Sequence, residues 1–140
     1  MKNILCFFIV IASVLVSCSD NDNTTTTQLP SLTGEWKIAQ KMFLGLEVQM
    51  NECQMTEKLE FDSQGNYFYT YLQDAQASPC QQTISNGTYE LVNNTLTWRV
   101  PETAQVRVVW QVIQFDDQTL TLYSNADGMP IQNKYTRVTD

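Results

Sequence analysis

The chain holds four cysteines and no histidine, and these two facts bound the chemistry open to it. Without imidazole it lacks the commonest general base and the commonest zinc ligand. A nucleophile would have no histidine base to activate it. Carboxylates do not fill the gap. Asp116-Asp117 and Asp127-Gly128 stand where the chain is expected to turn, so they read as solvated turn residues. Asp20, Asn21 and Asp22 lack the glycine and the terminal bidentate glutamate of a calcium-binding loop. No catalytic residue, metal or cofactor is expected. The formal charge of −7, with no basic run, argues against a nucleic-acid partner. What remains is thiol chemistry and aromatic recognition.

Cys18 is the thiol with the most telling context. Lys2 supplies a short positive start, and residues 4–16 form an almost unbroken apolar run. At about 13 residues it suits a signal-peptide core and is short of the ~20 that a spanning helix needs. The run ends in Leu15-Val16-Ser17-Cys18. This resembles the lipobox of a bacterial lipoprotein signal peptide, in which diacylglycerol is attached through the cysteine sulfur before cleavage. The resemblance implies a signal peptide over 1–17 and a lipidated Cys18. Residues 18–31 then serve as a flexible tether, because Ser19-Asp20-Asn21-Asp22-Asn23 and Thr24 to Thr27 are too polar to bury surface. Ser19 does not resemble an inner-membrane retention signal. Asp20 and Asp22 resemble the acidic export signal of some Gram-negative surface lipoproteins. The expected address is the outer membrane, facing either the cell surface or the periplasm. Loss of Lys2 leaves seven basic residues against fifteen acidic ones, so anionic membrane surfaces repel the domain. The acyl chains must then provide the membrane attachment, at about 0.8 kcal/mol per buried CH₂.

Cys6 leaves with the signal, so Cys53 and Cys80 remain as an even pair in an oxidising compartment. They are expected to form a disulfide. No C-x-x-C spacing suggests a redox or metal role.

Residues 32–140 must position whatever recognition the chain performs. With 43% hydrophobic residues the chain is not disordered, and the domain can bury a core. The pattern is strand, turn, strand. Gly34-Glu35-Trp36-Lys37-Ile38-Ala39 alternates with Trp36 and Ile38 on one face. Residues 42–50 are apolar but irregular, and read as either a second strand or a loop. A short helical turn is expected within 51–57. Leu59-Glu60-Phe61 turns through Asp62-Ser63-Gln64-Gly65-Asn66 into residues 67–72, with Gly65 as the left-handed bulge residue and Phe61 opposite Tyr67. Residues 74–82 read as a polar loop. Residues 87–92 meet 95–100 across Asn93-Asn94, placing Leu91 against Leu96 and Tyr89 against Trp98. Strands follow at 106–115, 119–123 and 131–138. The turn at 116–118 leaves the register of 106–115 against 119–123 open.

These elements amount to an all-β fold, an antiparallel up-and-down meander of about eight strands. Closure into a barrel removes the exposed edges, and an open two-sheet sandwich is the rival. The hairpin motifs around Gly34-Glu35-Trp36, residues 59–67, 87–97 and Tyr135-Thr136-Arg137-Val138 resemble the lipocalin-like domain of bacterial lipoproteins. That resemblance implies that Trp36 closes one barrel end and that Arg137 packs over its ring, a cation–π contact of about 0.5–2 kcal/mol. Other lipocalin signatures are missing.

Trp36, Phe61, Tyr67, Tyr69, Tyr71, Tyr89 and Trp98 are the candidate ligand-binding residues. Tyrosine hydroxyls need partners in a sealed core but suit a cavity holding a small apolar or amphipathic ligand. The competing reading is a packed interior with hydroxyls at its rim, on a protein that binds or inhibits another protein through its surface.

Overall fold

The computed structural model describes residues 31–74 and 79–139. Cys18, the expected signal segment and the expected tether through residue 30 lie outside the described residues. Nine strands run in chain order: β1 Gly34–Phe43, β2 Leu46–Glu47, β3 Lys58–Phe61, β4 Asn66–Asp74, β5 Gln81–Val92, β6 Thr95–Arg99, β7 Val106–Phe115, β8 Thr119–Ser124 and β9 Ile131–Arg137. Each long strand pairs antiparallel with the next, and β1 also pairs with β9. The meander therefore closes as an eight-stranded barrel, with the two-residue β2 folded back on β1. Closure rules out the open sandwich. The described residues contain two short 3₁₀ turns, Gln54–Thr56 and Ala126–Gly128.

The expected hairpin registers hold. Phe61 faces Tyr67, Leu91 faces Leu96 and Tyr89 faces Trp98. Gly65 takes φ +86°, and Asn93 and Asn94 both take positive φ, as a two-residue turn requires. The expected loop over 74–82 is corrected. β4 reaches Asp74 and β5 begins at Gln81, because β4 stays paired with β5 along its length, from Asn66 opposite Thr88 to Asp74 opposite Gln81. The open register resolves with Phe115 opposite Leu120. A bulge at Ile113 shifts the alternation, so Trp110, Val112 and Phe115 all face inward while Ile113 stays 60% exposed. The irregular stretch after Ile38 has the same cause. A bulge between Ile38 and Gln40 turns Lys41 to the inner face, opposite Asn133.

The core runs along the inside of the barrel. Trp36, Leu59, Phe61, Tyr67, Leu96, Leu120, Leu122 and Tyr135 are fully enclosed. Gly87 marks the tightest point. The Tyr67 ring and the Arg99 carbonyl both crowd the space a Cβ would occupy, where the ladder bulges between Trp98 and Arg99. Backbone cannot move aside as a side chain can. Gly87→Ala should cost about 2 kcal/mol, within the usual range for overpacking. A denaturant midpoint equal to that of the parent would refute this.

Two turn carboxylates brace the hairpins that follow β3 and β7. Asp62 accepts from the Asn66 side chain at 2.7 Å, and from the backbone N–H groups of Asn66 and Gln64 at 2.8 Å. Asp116 accepts from the N–H groups of Gln118 and Thr119, at 2.9 and 2.7 Å. The Asn66 amide and the Gln118 N–H, respectively, are the leading donors that hold these carboxyls below their ordinary range. The unfolded chain therefore binds these protons more tightly. The stabilisation is present above about pH 4 and is lost as pH falls through the folded values. An Asp62→Asn, Asp116→Asn variant should lose less stability than the parent between about pH 5 and pH 2. Equal losses in urea titrations would remove this account.

Candidate binding cleft

The barrel has a sealed end and an open end, set by strand direction. Residues 31–34 and the turns at 62–65, 93–94 and 116–118 gather at the sealed end. Trp36 is its plug, with no exposed surface, and its indole N–H donates to the Leu32 carbonyl at 2.8 Å. The Arg137 guanidinium lies 4.1 Å from the Trp36 ring centroid. It donates to the carbonyls of Asp117 at 2.8 Å and Thr33 at 2.7 Å, and to that of Ser31. Gly34 is required here. Its φ of +128° disfavours other residues, and a Cβ would lie 2.8 Å from the Arg137 guanidinium. The contact implied for Trp36 and Arg137 is therefore present.

At the opposite end the Cys53–Cys80 disulfide forms, with Cα atoms 5.6 Å apart. It ties the segment after β2 to the start of β5 across 27 residues, a constraint worth about 3 kcal/mol in the chain-entropy model.

The main cleft opens through the barrel wall near this end. β5 is 12 residues long and β6 only five, so β6 pairs with β5 at Thr88–Val92 alone. Above that point, among the described residues, β5 pairs only with β4. A cleft of about 710 Å³ fills the gap, bounded by Ile84–Asn86 on one side and by Val100–Glu102 and Arg107 on the other. Its floor is aromatic: Tyr69, Tyr71, Trp98 and Trp110. Tyr69 and Tyr71 stack at 5.4 Å, and Trp98 meets Trp110 edge-on at 5.8 Å. Arg107 spans the gap by donating to the Ser85 hydroxyl.

A second cleft of about 350 Å³ lies toward the open end and shares Tyr69 and Trp110 with the first. Its lining is mainly apolar, and its polar members Lys41, Tyr69 and Asn133 join a buried polar cluster behind it. Lys41 Nζ lies 2.6 Å from Glu57, whose side chain is 5% exposed, and the Tyr69 hydroxyl donates to the same carboxylate oxygen at 3.0 Å. Asn133 donates to the Tyr135 hydroxyl at 3.4 Å. Burial first, and the nearby Glu57 charge with it, raise the Tyr69 and Tyr135 phenols well above their ordinary value. Both remain protonated donors at neutral pH. Among the described residues, four buried side-chain polar atoms have no hydrogen-bond partner: Trp98 Nε1, Trp110 Nε1, Tyr67 Oη and Asn133 Oδ1. Such groups are costly to bury unmatched.

Of the candidate ligand-binding residues, Tyr69, Tyr71 and Trp98 meet at the main cleft. Tyr67 lies beneath, stacked on Trp98 at 4.5 Å. Phe61 and Tyr89 pack together at 4.7 Å near the sealed end, where the Tyr89 hydroxyl donates to the Asp62 carbonyl, and Trp36 plugs that end. Residue patterns alone did not single out Trp110, Glu57, Lys41 or Asn133. Two of them had a signal. Glu57 continues the inward alternation of Leu59 and Phe61, and Trp110 alternates with Val108 and Val112.

The chain belongs to the lipocalin-like domain family, whose model matches residues 32–122. Two solved structures share the fold. A lipocalin-like protein from Bacteroides uniformis is 15% identical with a TM-score of 0.55, covering 76% of this chain and 98% of its own. An uncharacterized protein from Bacteroides eggerthii is 10% identical with a TM-score of 0.53, covering 77% of this chain and 100% of its own. A search of curated proteins finds no significant match.

Proposed function

We propose that this is a non-catalytic binding protein of the cell envelope, held at the outer membrane by acyl chains on Cys18, that takes one small apolar or amphipathic molecule into the wall cleft. One observation carries the ligand reading. A cleft of about 710 Å³ is floored by the aromatic rings of Tyr69, Tyr71, Trp98 and Trp110. That volume falls in the range of small-molecule sites, and a concave lining of aromatic side chains is what such sites present. Exposed Ile84, Val109 and Ile113 favour a second reading, contact with another protein through the outer wall.

The neutral fluorophore N-phenyl-1-naphthylamine should bind the wild-type protein saturably, and Ser85→Trp, which fills the cleft, should abolish that binding. Absence of saturable binding to the wild type would overturn the ligand reading and leave the protein-contact reading. Cys18→Ser should move the protein from the membrane fraction to the soluble fraction. Continued membrane pelleting would overturn the anchor.

A further inference from the structure

We propose that the wall cleft takes an extended peptide, which adds a strand to the free edge of β5. The proposal rests on the ligand reading above and makes the amphipathic molecule a short stretch of polypeptide. Residues 81–87 of β5 pair with β4 on one side and, among the described residues, with no strand on the other. Strand alternation fixes which backbone groups face the gap. The Tyr89 N–H donates to the Gly65 carbonyl on the β4 side at 2.8 Å, and the pairing with β4 runs without a shift from Thr88 to Gln82. The N–H and C=O groups of Gly87, Ser85 and Thr83 therefore point to β4. Those of Asn86, Ile84 and Gln82 point the other way, toward the cleft that Ile84 and Asn86 line.

A row of backbone donors and acceptors in that pattern is a template for another strand. Natural edges are commonly blunted by charged side chains or proline. Gln81-Gln82-Thr83-Ile84-Ser85-Asn86-Gly87 holds neither. The cleft supplies the side-chain contacts. Thr83 and Ser85 stand opposite Tyr71 and Tyr69, so residues of an added antiparallel strand that face them project onto the aromatic floor. Residues opposite Gln82, Ile84 and Asn86 exchange backbone hydrogen bonds and project outward, as the exposed Ile84 does. Arg107 and Glu102 both stand in the lining, one charge of each sign, so main-chain pairing and apolar contact carry recognition rather than net charge. The space suits a single strand. Val100–Glu102 bound its far side, and a second copy of this chain would bring its own β4 alongside its β5.

The test uses the peptide acetyl-Thr-Phe-Thr-Phe-Thr-amide in calorimetric titrations of the full chain. It should bind saturably and displace N-phenyl-1-naphthylamine. Methylating the backbone nitrogen of its central threonine should weaken binding about tenfold or more, the effect of roughly one lost hydrogen bond. Methylating that of its second phenylalanine, which points away from β5, should change binding by less than about threefold. Ile84→Pro removes one edge donor and leaves the β4 ladder intact, so it should weaken the peptide about tenfold and leave the dye within about twofold. Equal affinities of the two methylated peptides would overturn strand addition, even if Ile84→Pro fails to fold. A peptide that binds without displacing the dye would sit elsewhere and would likewise overturn it. Binding of the dye with no binding of the peptide would sink this inference and spare the ligand reading, and binding of neither would remove both. A dimer in sedimentation runs that Ile84→Pro dissolves would give the edge to a second copy and overturn the peptide proposal.

Discussion

Trp36→Ala should lower the stability of the barrel by about 4 kcal/mol and its melting temperature by roughly 20 °C. The side chain is fully enclosed at the sealed end and lies 6.2 Å from the Phe115 ring. Its removal leaves a cavity that cannot collapse, because the surrounding strands are closed on themselves. It also frees the Leu32 carbonyl and takes the ring from under Arg137. Trp36→Phe separates these effects. It keeps most of the volume and loses the hydrogen bond, so a loss nearer 1–2 kcal/mol is expected. Circular dichroism melts measure both. An alanine variant within about 1 kcal/mol of the parent would show that the plug is not a main support of the fold.

Lys41→Met should cost about 3 kcal/mol, although lysine on a strand is ordinarily a surface residue. Glu57 is enclosed, and its other side-chain hydrogen bond comes from Tyr69. Removing the ammonium strands a carboxylate inside the barrel, whereas removing both charges is far milder. The double variant Lys41→Met, Glu57→Gln should therefore recover most of the loss. Urea denaturation of the two variants checks this. A double variant no more stable than Lys41→Met would show that the pair is not coupled.

Much of the fold was legible in the residues because hairpins are local. Asn93-Asn94 and the Asp62–Asn66 turn each set a register, and alternation then assigned Leu59, Phe61, Tyr67 and Tyr69 to one face. The GxW opening and the late Arg137 were legible only through family resemblance, since they meet across the full length of the chain. The cleft was less legible. Tyr69, Tyr71 and Trp98 were identified as aromatic candidates, but nothing local separates them from Phe61 and Tyr89, which share their face and pack at the other end. That division depends on height along the barrel, which emerges only when all the strands are laid side by side.

The meander, its main hairpin registers and the pairing of Cys53 with Cys80 follow from local patterning, because each rests on nearest-neighbour pairing, side-chain alternation or the count of cysteines. The sequence also carries the lipobox-like Cys18, on which the anchor proposal stands. The remaining features depend on barrel closure. Bulges after Ile38 and Val112 reset the alternation, which brought Lys41 to Glu57 and kept Phe115 inside. The mismatch between a 12-residue β5 and a five-residue β6 opened the wall over Trp98 and Trp110. The physical reason is common to both: a bulge or a length mismatch costs little locally, and it is selected by how the closed barrel packs and pairs around it.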